Sequence, residues 1–124
     1  MESFELSRLL GERDRRGIAY LEFLRKRDLS VGVYVLPKGT RDSQEPHTED
    51  EVYAVMEGRG RIRVAGEDRE VRRGSLVFVP ALAEHRFHSI EEDLTVLVFF
   101  APAEGNRSAT REPGRTPSVR GSSG

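Results

Sequence analysis

The sequence contains no cysteine, which excludes disulfides, thiolate nucleophiles and sulfur-ligated metal, so any metal must be held by nitrogen and oxygen. Long hydrophobic runs are also missing. The longest apolar stretch, Leu94 to Pro102, is interrupted by Thr95 and is far too short to span a bilayer. Nor does charge of one sign dominate: 20 Lys and Arg stand against 21 Asp and Glu, for a formal net charge of -1. The basic residues are interspersed with acidic ones, so neither nucleic acid nor a membrane is an expected partner. The opening Met1-Glu2-Ser3-Phe4-Glu5 lacks the basic and apolar regions of a signal peptide. A cytoplasmic protein is the expectation.

The chain has 124 residues, enough for one domain with a modest core. From Ile18 onward, short apolar runs alternate with turn residues. Strands are expected at Ala19–Leu24, Leu29–Leu36, Glu51–Met56, Arg59–Val64, Arg69–Val71, Ser75–Val79, Glu84–Ser89 and Leu94–Phe100. Pro37-Lys38-Gly39, Glu57-Gly58, Ala65-Gly66-Glu67-Asp68 and Arg73-Gly74 supply the turns between them. This pattern, with little helix, predicts an all-β antiparallel sandwich or barrel. Residues 1–16 stay open between a short helix carrying Phe4, Leu6, Leu9 and Leu10 and an edge strand. The domain is expected to span 1–103, with its core at 18–101. Residues 104–124 are rich in Gly, Ser, Pro, Thr and Arg and cannot bury enough apolar surface to offset their ordering entropy, so a disordered tail is expected there.

Two blocks carry the functional signal. The first runs from Gly39 through Glu45, His47 and Glu51 to Gly58, and the second from Gly74 through Pro80 to His85 and Ser89. Together they resemble the paired motifs of the cupin superfamily, written G-x5-H-x-H-x3/4-E-x6-G and G-x5-P-x-G-x2-H-x3-N. The fifteen residues Arg59–Arg73 between them match the short intermotif distance of small single-domain cupins. The resemblance implies a cupin jelly-roll β-barrel, or double-stranded β-helix, over roughly residues 18–101. Three positions depart from the pattern. Glu45 stands where the first histidine is expected, Leu82 where the second motif has glycine, and Ser89 where it has asparagine.

Side chains alternate across a strand, so 45, 47, 49, 51 and 53 share a face if the chain is extended, as do 85 and 87. His47, Glu51 and His85 can therefore enter one interior as ligands of a single divalent ion. Two imidazoles and a carboxylate with open positions suit Fe, Mn, Ni or Zn. Glu45 is the candidate fourth ligand or catalytic general base. Tyr53 and Phe87 are candidate ligand-pocket walls, with core filling as the alternative for each. Glu49 is expected in a solvated loop, Asp50 as an outer acceptor for a ligand imidazole, His88 on the opposite face, and Arg61 and Arg63 outside.

Among cupin activities the resemblance implies a small mononuclear metal-binding protein acting on or binding a small polar molecule. Dioxygenase-like chemistry is favoured because it needs only open metal positions and an apolar pocket. A sugar-phosphate isomerase would need a basic phosphate cradle, which the interior positions do not supply. The alternative from a different class is a non-catalytic ligand-binding or sensory barrel, with or without a structural metal. Exposed edges of an antiparallel sandwich, and the habit of small cupins, lead us to expect a homodimer.

Overall fold

A computed structural model of the chain describes residues 1–42 and 46–106. The open N-terminal segment resolves as a helix, α1 (Leu6–Arg16), which ends at Gly17. Leu6, Leu9 and Leu10 are half-buried while the charged residues Arg8, Asp14, Arg15 and Arg16 face water, as an apolar stripe on a charged helix requires. Just before the helix, Phe4 stacks edge-on against Phe23 with ring centroids 4.9 Å apart, docking the segment onto the first strand.

The strands are β1 (Tyr20–Arg25), β2 (Ser30–Leu36), β3 (Asp50–Val64), β4 (Glu67–Arg72), β5 (Leu76–Val79) and β6 (His85–Ala101). They pair antiparallel in the order β1-β2-β6-β3-β4, with β5 also on β3. The all-β antiparallel jelly roll expected from the sequence is the observed fold.

The expected strands appear, but two pairs of them are fused. Glu51–Met56 and Arg59–Val64 form the single strand β3, and Glu84–Ser89 and Leu94–Phe100 lie within β6. Glu57-Gly58 is therefore not a turn. The β3–β6 register slips between Val55 and Glu57, again to Arg59, and again to Arg61. These bulges let one half of β3 pair with β5 while the other half pairs with β4. Gly58 makes the bend possible: its φ is +95°, and a Cβ there would stand 2.1 Å from the Asp93 carbonyl oxygen. A long strand that bends between two sheets carries the same glycine that a chain-reversing turn would.

Alternation along the strands puts Tyr34, Tyr53, Val55, Ile62, Phe87, Leu94, Val96, Val98 and Phe100 into one interior cluster. Phe87 and Tyr53 meet edge to face with centroids 4.9 Å apart. The cross-strand rows Gly32–Val98–Tyr53 and Ser30–Phe100–Glu51 line the same interior. Polar side chains on the second row are thus carried into the barrel by strand parity alone.

The chain also continues in ordered form past the expected boundary at residue 103. After Ala101, Ala103 is fully buried, Glu104 N–H donates to Ser30 Oγ at 2.9 Å, and Asn106 Nδ2 donates to the Arg27 carbonyl at 3.0 Å. The expected disordered tail otherwise lies outside the described residues, as does Glu45.

Candidate metal centre

His47, Glu51 and His85 converge. Each is buried, and one potential ligand atom from each lies within 4.8 Å of the others. The three arrive from different places: His47 from the loop before β3, Glu51 from the interior face of β3, and His85 from the first residue of β6. Tight loop contacts hold the two motifs in register. Leu82 N–H donates to the His47 carbonyl at 2.7 Å, and Ala81 N–H donates to Asp50 Oδ1 at 2.9 Å. Asp42 is buried as well, and its carboxylate accepts from Tyr34 Oη at 3.1 Å and from Phe87 N–H at 2.9 Å.

Leu82, standing where the motif has glycine, keeps the glycine-like backbone with φ +68°. Ser89, standing where the motif has asparagine, is also left-handed at φ +50°. At both positions the backbone lies in the left-handed region that glycine and asparagine favour. Non-glycine residues held there carry strain of about 1–2 kcal/mol each.

His85 has a defined tautomer. Its Nδ1 lies 2.9 Å from the Ala83 carbonyl, which can only accept, so Nδ1 carries the hydrogen and Nε2 presents a lone pair. Asp50 Oδ1 accepts from Ala81 N–H, and the acceptor for His85 Nδ1 is the Ala83 carbonyl. Nε2 of His85 lies 3.2 Å from Glu51 Oε1. Neither His85 Nε2 nor Glu51 Oε2 has a hydrogen-bond partner among the described residues. Two buried acceptors facing one another at that distance need a proton or a cation between them.

Burial pushes the Glu51 carboxyl up from its ordinary 4.5 to about 8, against a hydrogen bond from Tyr53 that favours the charged form; nearby Glu104, Asp42 and Glu49 push it further up. The metal-free centre therefore keeps Glu51 protonated at neutral pH.

Two acidic residues belong to this neighbourhood that the sequence placed elsewhere. Glu49 is 1% exposed, not solvated, and accepts a short hydrogen bond from the Thr48 hydroxyl. Glu104, assigned to the tail, is 6% exposed with Oε2 3.4 Å from His47 Nδ1. Periodicity cannot find Glu104 because it follows the last strand; the only hint was its place directly after the apolar run. His88 points away from the interior and lies 2.8 Å from Asp68 Oδ2, beside the outward-facing Arg61 and Arg63, as expected from parity. Tyr53 and Phe87 both reach the interior, with the Tyr53 ring 6.0 Å from that of His85 and Phe87 buried in the core beneath Tyr53.

The sequence matches the cupin domain family over residues 32–100. The chain belongs to the cupin family. An uncharacterized protein of Streptomyces coelicolor is 54% identical over 104 residues, covering 84% of this chain and 99% of the relative. The dimethylsulfoniopropionate lyase DddW of Ruegeria pomeroyi is 31% identical over 77 residues, or 62% of this cupin and 51% of the lyase, so the cupin spans about half the length of that relative. Among solved structures, salicylate 1,2-dioxygenase from Pseudoaminobacter salicylatoxidans superposes with a TM-score of 0.65 at 19% identity, covering 76% of this cupin and 33% of the dioxygenase chain. That likeness is one of fold. Among the described residues, no helix is long and apolar enough to cross a membrane.

Proposed function

We propose that this cupin binds one divalent metal ion through His47, Glu51 and His85 and uses it to hold an oxygen of a small polar molecule. The observation that carries this reading is the lone pair of His85 Nε2 facing Glu51 Oε1 at 3.2 Å in a buried setting. Donors bonded to one ion at about 2.0–2.2 Å lie at most about 4.4 Å apart, so a trio already within 4.8 Å closes on an ion with small side-chain movement. The nitrogen and oxygen donor set fits Fe, Mn, Ni or Zn. Glu104 beside His47 Nδ1 supports the role of an outer carboxylate that orients a ligand imidazole.

A bound ion supplies Lewis acidity, and the barrel supplies exclusion of water. The residues around it do the positioning: Ala83 fixes the His85 tautomer, Tyr53 donates to Glu51, and Phe87 backs Tyr53. Dioxygenase-like chemistry on a small molecule is the enzymatic reading we favour; lyase chemistry enters beside it through the resemblance to DddW. Glu45, next to the centre in sequence, is proposed as a fourth ligand or general base. A non-catalytic ligand-binding barrel uses the same cup without turnover.

The test is elemental analysis of the purified protein, with melting curves before and after adding Mn(II) or Fe(II). About one metal per chain, or a clear rise in melting temperature on addition, is expected, because a ligand bound only by the native state stabilises it. A metal-free protein that neither ion stabilises ends the proposal.

For the assembly, we propose a homodimer through the outer face of β3 and β5. Leu76 is 75% exposed and Phe78 59% exposed, and Phe78 pairs across the sheet with half-exposed Val52. Contiguous apolar side chains of this size on a sheet face favour burial against a second copy. Sedimentation of the protein should read twice the 14.0 kDa chain mass; a monomer would refute the assignment.

A further inference from the structure

Tyr20 lies outside the family match at residues 32–100, yet its ring enters the barrel. It is the first residue of β1 and pairs across the sheet with Tyr34, an interior core residue whose ring it meets edge-on at 6.1 Å. The outer end of the Tyr20 ring rests on Gly32. A Cβ at Gly32 would stand 2.2 Å from Tyr20 Cζ and 2.3 Å from its hydroxyl oxygen. Gly32 lies on the interior row Gly32–Val98–Tyr53, adjacent to the row Ser30–Phe100–Glu51. The missing side chain at residue 32 thus makes room for the phenol, which feels the nearby carboxylates of Glu104 and Glu51.

The hydroxyl at the end of that ring is buried and has no hydrogen-bond partner among the described residues. A buried phenol normally finds one, because leaving it unmade costs about 1–3 kcal/mol. Nothing in the packing requires a hydroxyl at this place, since a phenylalanine ring would fill the same cradle. Burial, with Glu104, Glu22 and Glu51 nearby, pushes the Tyr20 hydroxyl well above its ordinary range. The group therefore stays protonated and acts as a donor.

We infer that Tyr20 is a ligand-contacting residue, donating a hydrogen bond to an oxygen of the small molecule held beside His47, Glu51 and His85. The inference rests on the proposed metal-dependent cup and adds a requirement on its occupant. The molecule must present two oxygen functions, one to the ion and one acceptor to Tyr20, as a diol, hydroxy-carbonyl or hydroxy-acid does. Selectivity against analogues lacking the second oxygen follows, because they leave the phenol buried without a partner.

The experiment compares the full-length protein with Tyr20→Phe in excess Mn(II), using 4-nitrocatechol as a chromophoric diol probe and calorimetry for the metal. Mn(II) affinity should change less than about twofold, and the melting temperature without probe should hold or rise, since no protein hydrogen bond is lost. Probe affinity should fall about tenfold, the equivalent of one hydrogen bond at about 1.4 kcal/mol. Equal probe affinity in the two proteins, including no binding by either, overturns the inference. So does a melting temperature lowered by several degrees with probe affinity unchanged, which would make the hydroxyl structural. Absence of Mn(II) binding by both proteins instead removes the metal reading, and the calorimetry reports that separately from the probe.

Discussion

Replacing both His47 and His85 by alanine is expected to bring bound metal from about one equivalent per chain to near zero and to abolish the thermal response to Mn(II). In the proposed centre three protein donors come from three parts of the chain, and the double substitution removes both imidazoles, leaving Glu51 as the last of the trio. A single buried carboxylate whose proton is already favoured to stay on cannot compete with water for a divalent ion. At a metal concentration about 100-fold above its Kd, the wild-type protein gains about 2.7 kcal/mol of stability. For a domain of this size that is a rise in Tm on the order of 10 °C. The double variant should show none of it.

The substitutions also cost packing. The His47 ring sits 4.9 Å from that of Phe100 and 5.6 Å from that of His85, so melting in chelator must be measured alongside to confirm that the variant is folded. Metal retained at full stoichiometry in a folded double variant would refute the ligand assignment.

The pH dependence of the metal-free protein should run opposite to that of most proteins near neutrality. Glu51 has a folded-state pKa raised to about 8 from 4.5. Between those values the native state holds a proton that the unfolded chain has released, so stability falls as pH rises. The contribution is fully present below about pH 4.5, is lost progressively up to about pH 8, and is flat beyond. A tenfold difference in proton affinity between the folded and unfolded states is worth about 1.4 kcal/mol, so the whole effect amounts to several kcal/mol.

Saturating metal should abolish this slope, because the ion holds Glu51 as the carboxylate in the folded state, the form the unfolded chain already has above about pH 4.5. Urea unfolding in chelator at about pH 5 and about pH 8, repeated with excess Mn(II), reads both slopes. Stability that rises with pH in the metal-free protein would show that Glu51 is not held protonated.

Much of this was legible in residue order. The spacing from Glu51 to Gly58 and from Pro80 to His85 located the three converging side chains, and alternation placed them, with Tyr53 and Phe87, on interior faces. The same alternation puts His88, Arg61 and Arg63 outside. What could not be read were events that parity does not govern. Gly58 looked like a turn because a bend between sheets and a reversal of the chain use the same residue. Glu49 looked solvated because acidic residues in a non-strand segment usually are. Glu104 follows the last strand, and only the path of the chain past Ala103 returns it to His47. The strand pattern covers Tyr20, but nothing near it in sequence reveals that Gly32 leaves room for its ring.

By itself the sequence determined the all-β alternation, the cupin motifs and the candidate nitrogen and oxygen donors, because these depend on spacings of a few residues and on strand periodicity. Tertiary structure decided which acids are buried, which tautomer His85 takes and where the Tyr20 hydroxyl ends. Those properties depend on desolvation and on contacts between residues distant in the chain, such as Glu104 with His47 and Tyr20 with Gly32 and Tyr34, and no local pattern encodes them.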